Sequence, residues 1–222
     1  SFYQSFILIL VIIISILMTF LVSYLLSKTL LKGMSSSFTL ELPPYRKPQF
    51  IKVIVRSIFD KTLHVLSRAI IVTIPAGLMI WLLANIQIGD VSILMHIENF
   101  LDPFGKLIGL DGVIIASFLL GFPANEIVIP IMIMSYLSLG TITGYSSVSE
   151  LKELLINNNW TLLTAINMII ICLFHFPCST TCLTIKKETG SIKWMIYAMA
   201  IPTIIGILLC FLTTSIFRII LH

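Results

Sequence analysis

The chain has 222 residues, 58% of them hydrophobic and 11% charged, against roughly 25% charged in an ordinary soluble domain, which excludes a water-soluble globular fold. Its 14 basic and 10 acidic side chains leave a net charge of +4. The basic excess lies between Lys28 and Arg68, so it bears on membrane orientation rather than on nucleic acid, and no RNA or DNA partner is implied.

Uncharged apolar runs of crossing length predict an all-α polytopic membrane protein of about four to six membrane segments, with Pro-broken or re-entrant helices and interfacial amphipathic helices. Residues 1–32 are expected to hold the first transmembrane helix. Within them Phe6 to Leu26 are uncharged and span about 32 Å as a helix, enough to cross a hydrocarbon core. The first Lys or Arg is Lys28, after the apolar run, which is the wrong order for a cleaved signal peptide. Opening on Ser1 rather than methionine predicts a processed product or a piece of something longer.

Residues 33–68 read as a cytoplasmic connection. From Lys28 to Lys61 there are seven Lys or Arg against Glu41 and Asp60, and the positive-inside rule then leaves the N-terminus outside. Leu42-Pro43-Pro44-Tyr45 is expected to be stiff and extended. After it, Lys52, Arg56, Asp60 and His64 recur at i, i+4, with Ile51, Val55, Ile58, Phe59, Leu63 and Leu66 on the other side, the pattern of an interfacial amphipathic helix.

Residues 69–222 form the remaining transmembrane domain. A span from Ala69 to Ile86 is expected to bend at Pro75 and Gly77. The stretch Ile88 to Asp111 is rich in acid and poor in base, as suits an external location. Two long apolar segments follow, Gly112 to Leu139 and Trp160 to Ile185, separated by a short surface helix with a capping-box spacing at Ser147 and Glu150. Lys186, Lys187 and Lys193 mark a second cytoplasmic loop, and Trp194 to Phe217 is a last span, broken at Pro202 and Gly206. An outside loop before Gly112 and an inside loop at Lys186 require an odd number of crossings, so one of the two intervening segments must be re-entrant or broken. Gly121-Phe122-Pro123 and Phe176-Pro177 supply the breaks, tolerated at membrane depth only where the backbone is buried or lines a cavity.

Glu126 is the one charged side chain inside an apolar segment, at a cost of ~2.5 kcal/mol or more, and such residues mark substrate or ion pathways by default. The plainer alternative starts a half-helix at Pro123 and uses Glu126 to complement its N-terminal dipole. The second break, Cys172 to Cys182, gathers His175, Cys178 and Cys182 at helical spacings. A half-helix beginning at Pro177 would put Cys178 at its positive end, where thiolate is favoured. Thiol, imidazole and carboxylate together suit a first-row divalent cation better than magnesium or calcium. Against this, cysteine packs well in any membrane helix, the expected role of Cys172, Cys182 and Cys210, and His175 could serve only as an interhelical hydrogen-bonding group. All four cysteines lie in apolar segments and suggest no secreted disulfide framework. No paired CxxC zinc motif, no GxxxxGK[ST] loop and no Ser/His/Asp or HExxH constellation occurs, so neither a structural metal, a nucleotide site nor an enzyme is expected.

Three separated motifs carry a family resemblance: Leu40-Glu41-Leu42-Pro43-Pro44-Tyr45-Arg46, Gly121 to Val128, and His175-Phe176-Pro177-Cys178-Ser179-Thr180-Thr181, with Thr184 to Gly190 behind the last. Together they resemble, along essentially the whole chain, the C-terminal part of the bacterial ferrous iron transport protein B (FeoB) family. The resemblance implies a polytopic region of the cytoplasmic (inner) membrane containing the second of two Gate motifs, with a G domain and first Gate in a longer parent or a partner subunit. It implies Fe²⁺ as transported substrate, with no permanently bound cofactor. It places the family's Gate cysteine on Cys178 and its Pro-Ala-Asn-Glu element on Pro123, Ala124, Asn125 and Glu126. The expected transient ligands are Cys178, Glu126 and His175, with Gly121, Pro123, Asn125, Pro177, Ser179 and Thr180 shaping the pathway and helix breaks. Partners are then Fe²⁺, the lipid bilayer and the missing domains, with room for a homo-oligomer. The alternatives are a Gate-type nucleoside or other organic-solute protein, with Asn125 and Glu126 hydrogen-bonding the solute, and a non-transporting scaffold whose basic helix, Pro48 to Arg68, docks a cytoplasmic partner.

Overall fold

A computed structural model describes residues 2–29, 49–142 and 147–220. The expected Leu42–Tyr45 extension and the Leu40–Arg46 motif lie outside the described residues. The chain falls into two compact units, Ser1–Leu66 and Ser67–His222.

The first unit holds α1 (Phe2–Lys28) and α2 (Phe50–Arg56). Helix α1 is apolar on all sides, and its leucines, isoleucines and phenylalanines are largely exposed, as a helix solvated by lipid requires. A π-helical turn, Ser57–Thr62, follows α2 and leads straight into α3 (Leu63–Asn85). That turn bonds at i, i+5 rather than at the i, i+4 expected from Lys52 to His64, and the side chains of Asp60 and His64 lie outside those described.

In the second unit, α3 continues through Pro75 and Gly77 without interruption. A small antiparallel ribbon follows, β1 (Gln87–Ile88) with β2 (Val91–Ser92), Gln87 opposite Ser92 and Ile88 opposite Val91. The Ser92 side chain accepts from the Met95 N–H and starts α4 (Ile93–Leu107). The acidic stretch is thus largely helix, with Leu94, Glu98 and Gly105 buried on one face.

Asp111 caps α5 (Gly112–Leu120) by accepting from Ile114 N–H at 2.7 Å. The axes of α4 and α5 differ by 113°. After a loop and a 3-10 turn (Asn125–Ile127), α6 (Val128–Tyr136) begins. Each of α5 and α6 has nine residues, about 14 Å, half of a hydrocarbon core. Tyr136, the last residue of α6, donates its hydroxyl to Asp111 at the start of α5 (2.5 Å). The two ends of the segment thus lie side by side, and 112–136 folds back on itself as a hairpin.

Ser147 accepts from Glu150 N–H and opens the surface helix α7 (Val148–Asn157). Trp160 Nε1–H donates to Tyr136 Oη at 2.7 Å, tying the hairpin base to the start of α8 (Leu162–Phe174). Residues His175 to Cys178 interrupt the helix before α9 (Ser179–Thr189). The interrupted stretch Leu162–Thr189 is long and apolar enough to cross a membrane, as are Ser5–Lys28 and Ile192–Ile220 among the described residues. Gly190, at φ 64°, ends α9 and leads into α10 (Ile192–Ile220).

Contrary to expectation, Pro202 and Gly206 do not break α10, which runs unbroken for 29 residues. The Thr203 hydroxyl donates to the Met199 carbonyl (2.7 Å) beside the proline ring. Buried Asn167 joins α8 and α10. Its amide donates to Ile108 O (2.8 Å) and Thr214 Oγ1 (2.9 Å), and its Oδ1 accepts from Thr213. Ile80, Leu94, Leu120, Ile131 and Met134 form a core shared by α3, α4, α5 and α6.

Candidate functional site

The two Pro breaks meet. Chain reversal at the hairpin tip leaves the carbonyls of Phe122 and Pro123 without helical partners, while the first turn of α9 has amides with none. Ser179 satisfies both. Its N–H donates to Phe122 O at 2.8 Å and its hydroxyl to Pro123 O at 3.2 Å. The Phe122 and Phe176 rings pack edge to face at 5.6 Å across the same junction. Gly121 makes the tip possible through space rather than through φ, which is an ordinary −75°. A Cβ there would lie 2.3 Å from Val128 Cγ2 and 2.9 Å from Ser117 O.

Cys178, half-buried, occupies the N-cap of α9, one residue before Ser179. Its sulfur lies 3.1 Å from Thr180 Oγ1 and 3.2 Å from Thr181 Oγ1, at the positive end of the helix. Thr180 belonged to the expected site, and the structure adds Thr181. Pro177 contributes its carbonyl, which accepts from Cys182 Sγ at 3.3 Å. All four cysteines are free thiols.

His175 Nδ1 is 2.8 Å from the Cys172 carbonyl. A carbonyl only accepts, so Nδ1 carries the proton and Nε2 presents its lone pair. Nε2 is buried with no hydrogen-bond partner among the described residues. The ring packs against Phe118 (5.2 Å) and Phe176 (5.9 Å) and lines an otherwise apolar cavity of about 240 Å³ with Ile108, Ile171 and Thr203.

The half-helix after the first break begins at Asn125 rather than Pro123, with Ala124 extended ahead of it. Glu126 is thus the middle residue of the 3-10 turn, exposed, and without a hydrogen-bonding or charged partner among the described residues. No side-chain capping bond forms at that turn, so the dipole-capping alternative has no hydrogen bond behind it. Asn125 Oδ1 is buried and unpartnered. Among the described residues no three His, Cys, Asp or Glu side chains gather closely enough to hold a metal ion, so Cys178, Glu126 and His175 do not stand as a ready-made cage.

Residues 8–60 match the family model "Ferrous iron transport protein B C terminus", and residues 66–192 match the Gate model, described as "Nucleoside recognition". The chain belongs to the Gate family, as a C-terminal membrane part of ferrous iron transport protein B. It is similar to "Fe(2+) transporter FeoB" of Staphylococcus aureus (strain COL), 30% identical over 195 residues that cover 83% of this chain and 27% of the relative. It is also similar to the protein of that name from Leptospira interrogans serogroup Icterohaemorrhagiae serovar copenhageni (strain Fiocruz L1-130), 28% identical over 204 residues, covering 80% and 28%. The corresponding protein of Leptospira biflexa serovar Patoc is 24% identical over 202 residues, covering 83% and 29%. The chain therefore spans less than a third of the length of these relatives. No solved structure matches it significantly. Sequence reasoning passed over the carboxylate of Glu98 and the Asp111–Tyr136–Trp160 chain. The Glu98 signal was available, since Leu94, Glu98, Leu101, Gly105 and Ile108 fall on one helical stripe.

Proposed function

We propose that this chain forms half of a pathway for Fe²⁺ uptake across the bacterial cytoplasmic membrane, driven or gated by a GTP-binding domain carried elsewhere in a longer parent or a partner subunit. The observation that carries this reading is the locked pair of breaks. The Ser179–Phe122 and Ser179–Pro123 bonds hold Cys178 at the positive end of a half-helix, beside a tip that carries Asn125 and Glu126. Discontinuous helices meeting at depth are the usual construction of an ion site in a transporter. Thiolate and carboxylate suit Fe²⁺, and donors that are not pre-assembled as a cage suit transient binding, since a conducting site must release what it captures.

The organic-solute reading has less support. The cavity beside His175 has only His175 and Thr203 as polar lining residues, too few to hydrogen-bond a nucleoside. The test is anaerobic Fe²⁺ uptake by cells carrying the complete protein. Cys178→Ser and Glu126→Gln are each expected to reach the membrane in normal amount and to lose at least about tenfold in uptake, equivalent to about 1.4 kcal/mol at the site. Wild-type uptake in both sinks the proposal, as does transport of Mg²⁺ as readily as Fe²⁺ by the intact protein.

A further inference from the structure

A second cavity, of about 280 Å³, opens at the base of the hairpin and does not include the locked breaks. The end of α3, the β1–β2 ribbon, α4 and the C-terminal end of α6 wall it, and its polar side chains are Gln87, Asp90, Ser92, Glu98, Ser135 and Ser138. Among the described residues no Lys, Arg or His lines it, and its charged lining is the two carboxylates. Asp90 is exposed at the ribbon turn, whereas Glu98 is only 7% exposed. Glu98 Oε1 and Ser135 Oγ are both buried with no hydrogen-bond partner among the described residues.

The burial of Glu98 is enforced. Gly112 lets α5 lie directly on the α4 backbone, where a Cβ would fall 1.9 Å from the Glu98 carbonyl oxygen. A carboxylate oxygen buried without a partner is costly, and the cost is offset when a cation is held against it. The cavity is several times the roughly 30 Å³ share of one water, room for an ion with part of its hydration shell. Its carboxylate, hydroxyl and amide donors are hard oxygen ligands, and no three His, Cys, Asp or Glu side chains gather there to strip an ion of water.

We propose that this cavity binds a hydrated divalent cation, with Glu98 as the charged ligand, Ser135 on the wall and Asp90 at the mouth. Its role, though not the binding itself, rests on the transport reading. The cavity lies on the side that the basic loops assign to the exterior, and α6 runs from Ser135 to Val128, about 10 Å, down to the hairpin tip. It is then an entry station ahead of the breaks.

The complete polypeptide carrying this chain, in lipid nanodiscs, would be titrated with Mn²⁺, and bound ion counted from the electron paramagnetic resonance of the free aquo ion. Glu98→Gln is expected to weaken one Mn²⁺ site at least about tenfold, with Glu98→Asp retaining part of the affinity. Mn²⁺ binding by Glu98→Gln in wild-type number and affinity overturns the inference. Should Glu98→Gln fail to fold, Ser135→Ala decides, with about threefold weakening in support and unchanged binding against. The two proposals fail separately. A protein that binds Mn²⁺ through Glu98 yet carries no Fe²⁺ defeats only the transport reading, and Cys178-dependent Fe²⁺ uptake with no effect of Glu98→Gln on Mn²⁺ defeats only this one.

Discussion

Ser179 does at one residue what the two breaks need in common, and its two bonds can be tested apart. Ser179→Ala removes the hydroxyl bond to Pro123 O and keeps the amide bond to Phe122 O, so a loss of about 1 kcal/mol in thermal stability is expected. Ser179→Pro removes the amide donor as well. Proline is ordinarily welcome at the first helical position, and Cys178 before it already has φ −61° and ψ 161°, the extended conformation a following proline wants. A penalty of about 1–3 kcal/mol beyond Ser179→Ala would therefore report the orphaned Phe122 carbonyl, whereas equal melting temperatures for the two variants would deny that bond any importance. Asn167→Leu is expected to cost a similar 1–3 kcal/mol, because Ile108 O loses its buried donor. At this scale the sequence was informative about residue type and silent about partnership. Cys178 and Glu126 were legible because each violates the apolar pattern around it. Glu98 escaped a count of charge along the chain, which cannot see that α4 folds against α5 and turns one of several acids inward; only the helical stripe from Leu94 to Ile108 marked it.

Prolines show the same lesson at the level of helices. Pro123 and Pro177 fall in real interruptions while Pro75 and Pro202 lie inside continuous helices. The ring's local effect is the same each time, a missing donor and a steric clash. What differs is the surroundings of the ring: at Pro123 the tip carbonyls bond Ser179 of α9, whereas at Pro202 the helix simply continues. The hairpin itself depends on Gly121. Gly121→Ala must push a methyl into Val128, and the overpacking is expected to destabilise the protein by about 1–3 kcal/mol. Val128→Ala removes the obstructing atom, so the double variant is expected to recover part of that loss. A thermal-unfolding double-mutant cycle measures the coupling, and strict additivity would show that the tip is not as tightly closed as the geometry says.

For the membrane domain as a whole, the odd-crossing requirement and the folded hairpin together predict a pattern of sides that charge alone could not. If 112–136 returns to the level from which it began, the ribbon turn at Asp90 and the surface helix at Ser149 face the same compartment, and α8 with α9 makes the only crossing between them and Lys187. Were the segment instead a straight broken span, Ser149 and Asp90 would lie on opposite sides. Single cysteines introduced as Asp90→Cys, Ser149→Cys and Lys187→Cys, in the complete protein and in intact bacteria, separate these cases with a bulky, membrane-impermeant maleimide. Labelling of the first two in intact cells, and of Lys187→Cys only after permeabilisation, is the expected result; the native thiols provide the background measured in the unsubstituted protein. Protection of Ser149→Cys while Asp90→Cys is labelled would rule out the hairpin topology in the membrane. Protection of Asp90→Cys and Ser149→Cys together, with Lys187→Cys labelled, would keep the hairpin but invert the domain, placing the Glu98 cavity at the exit of an uptake route instead of its entrance. The basic residues argue against that inversion, since Lys186, Lys187 and Lys193 cluster beyond the crossing while Asp90, Glu98, Asp102 and Asp111 precede it.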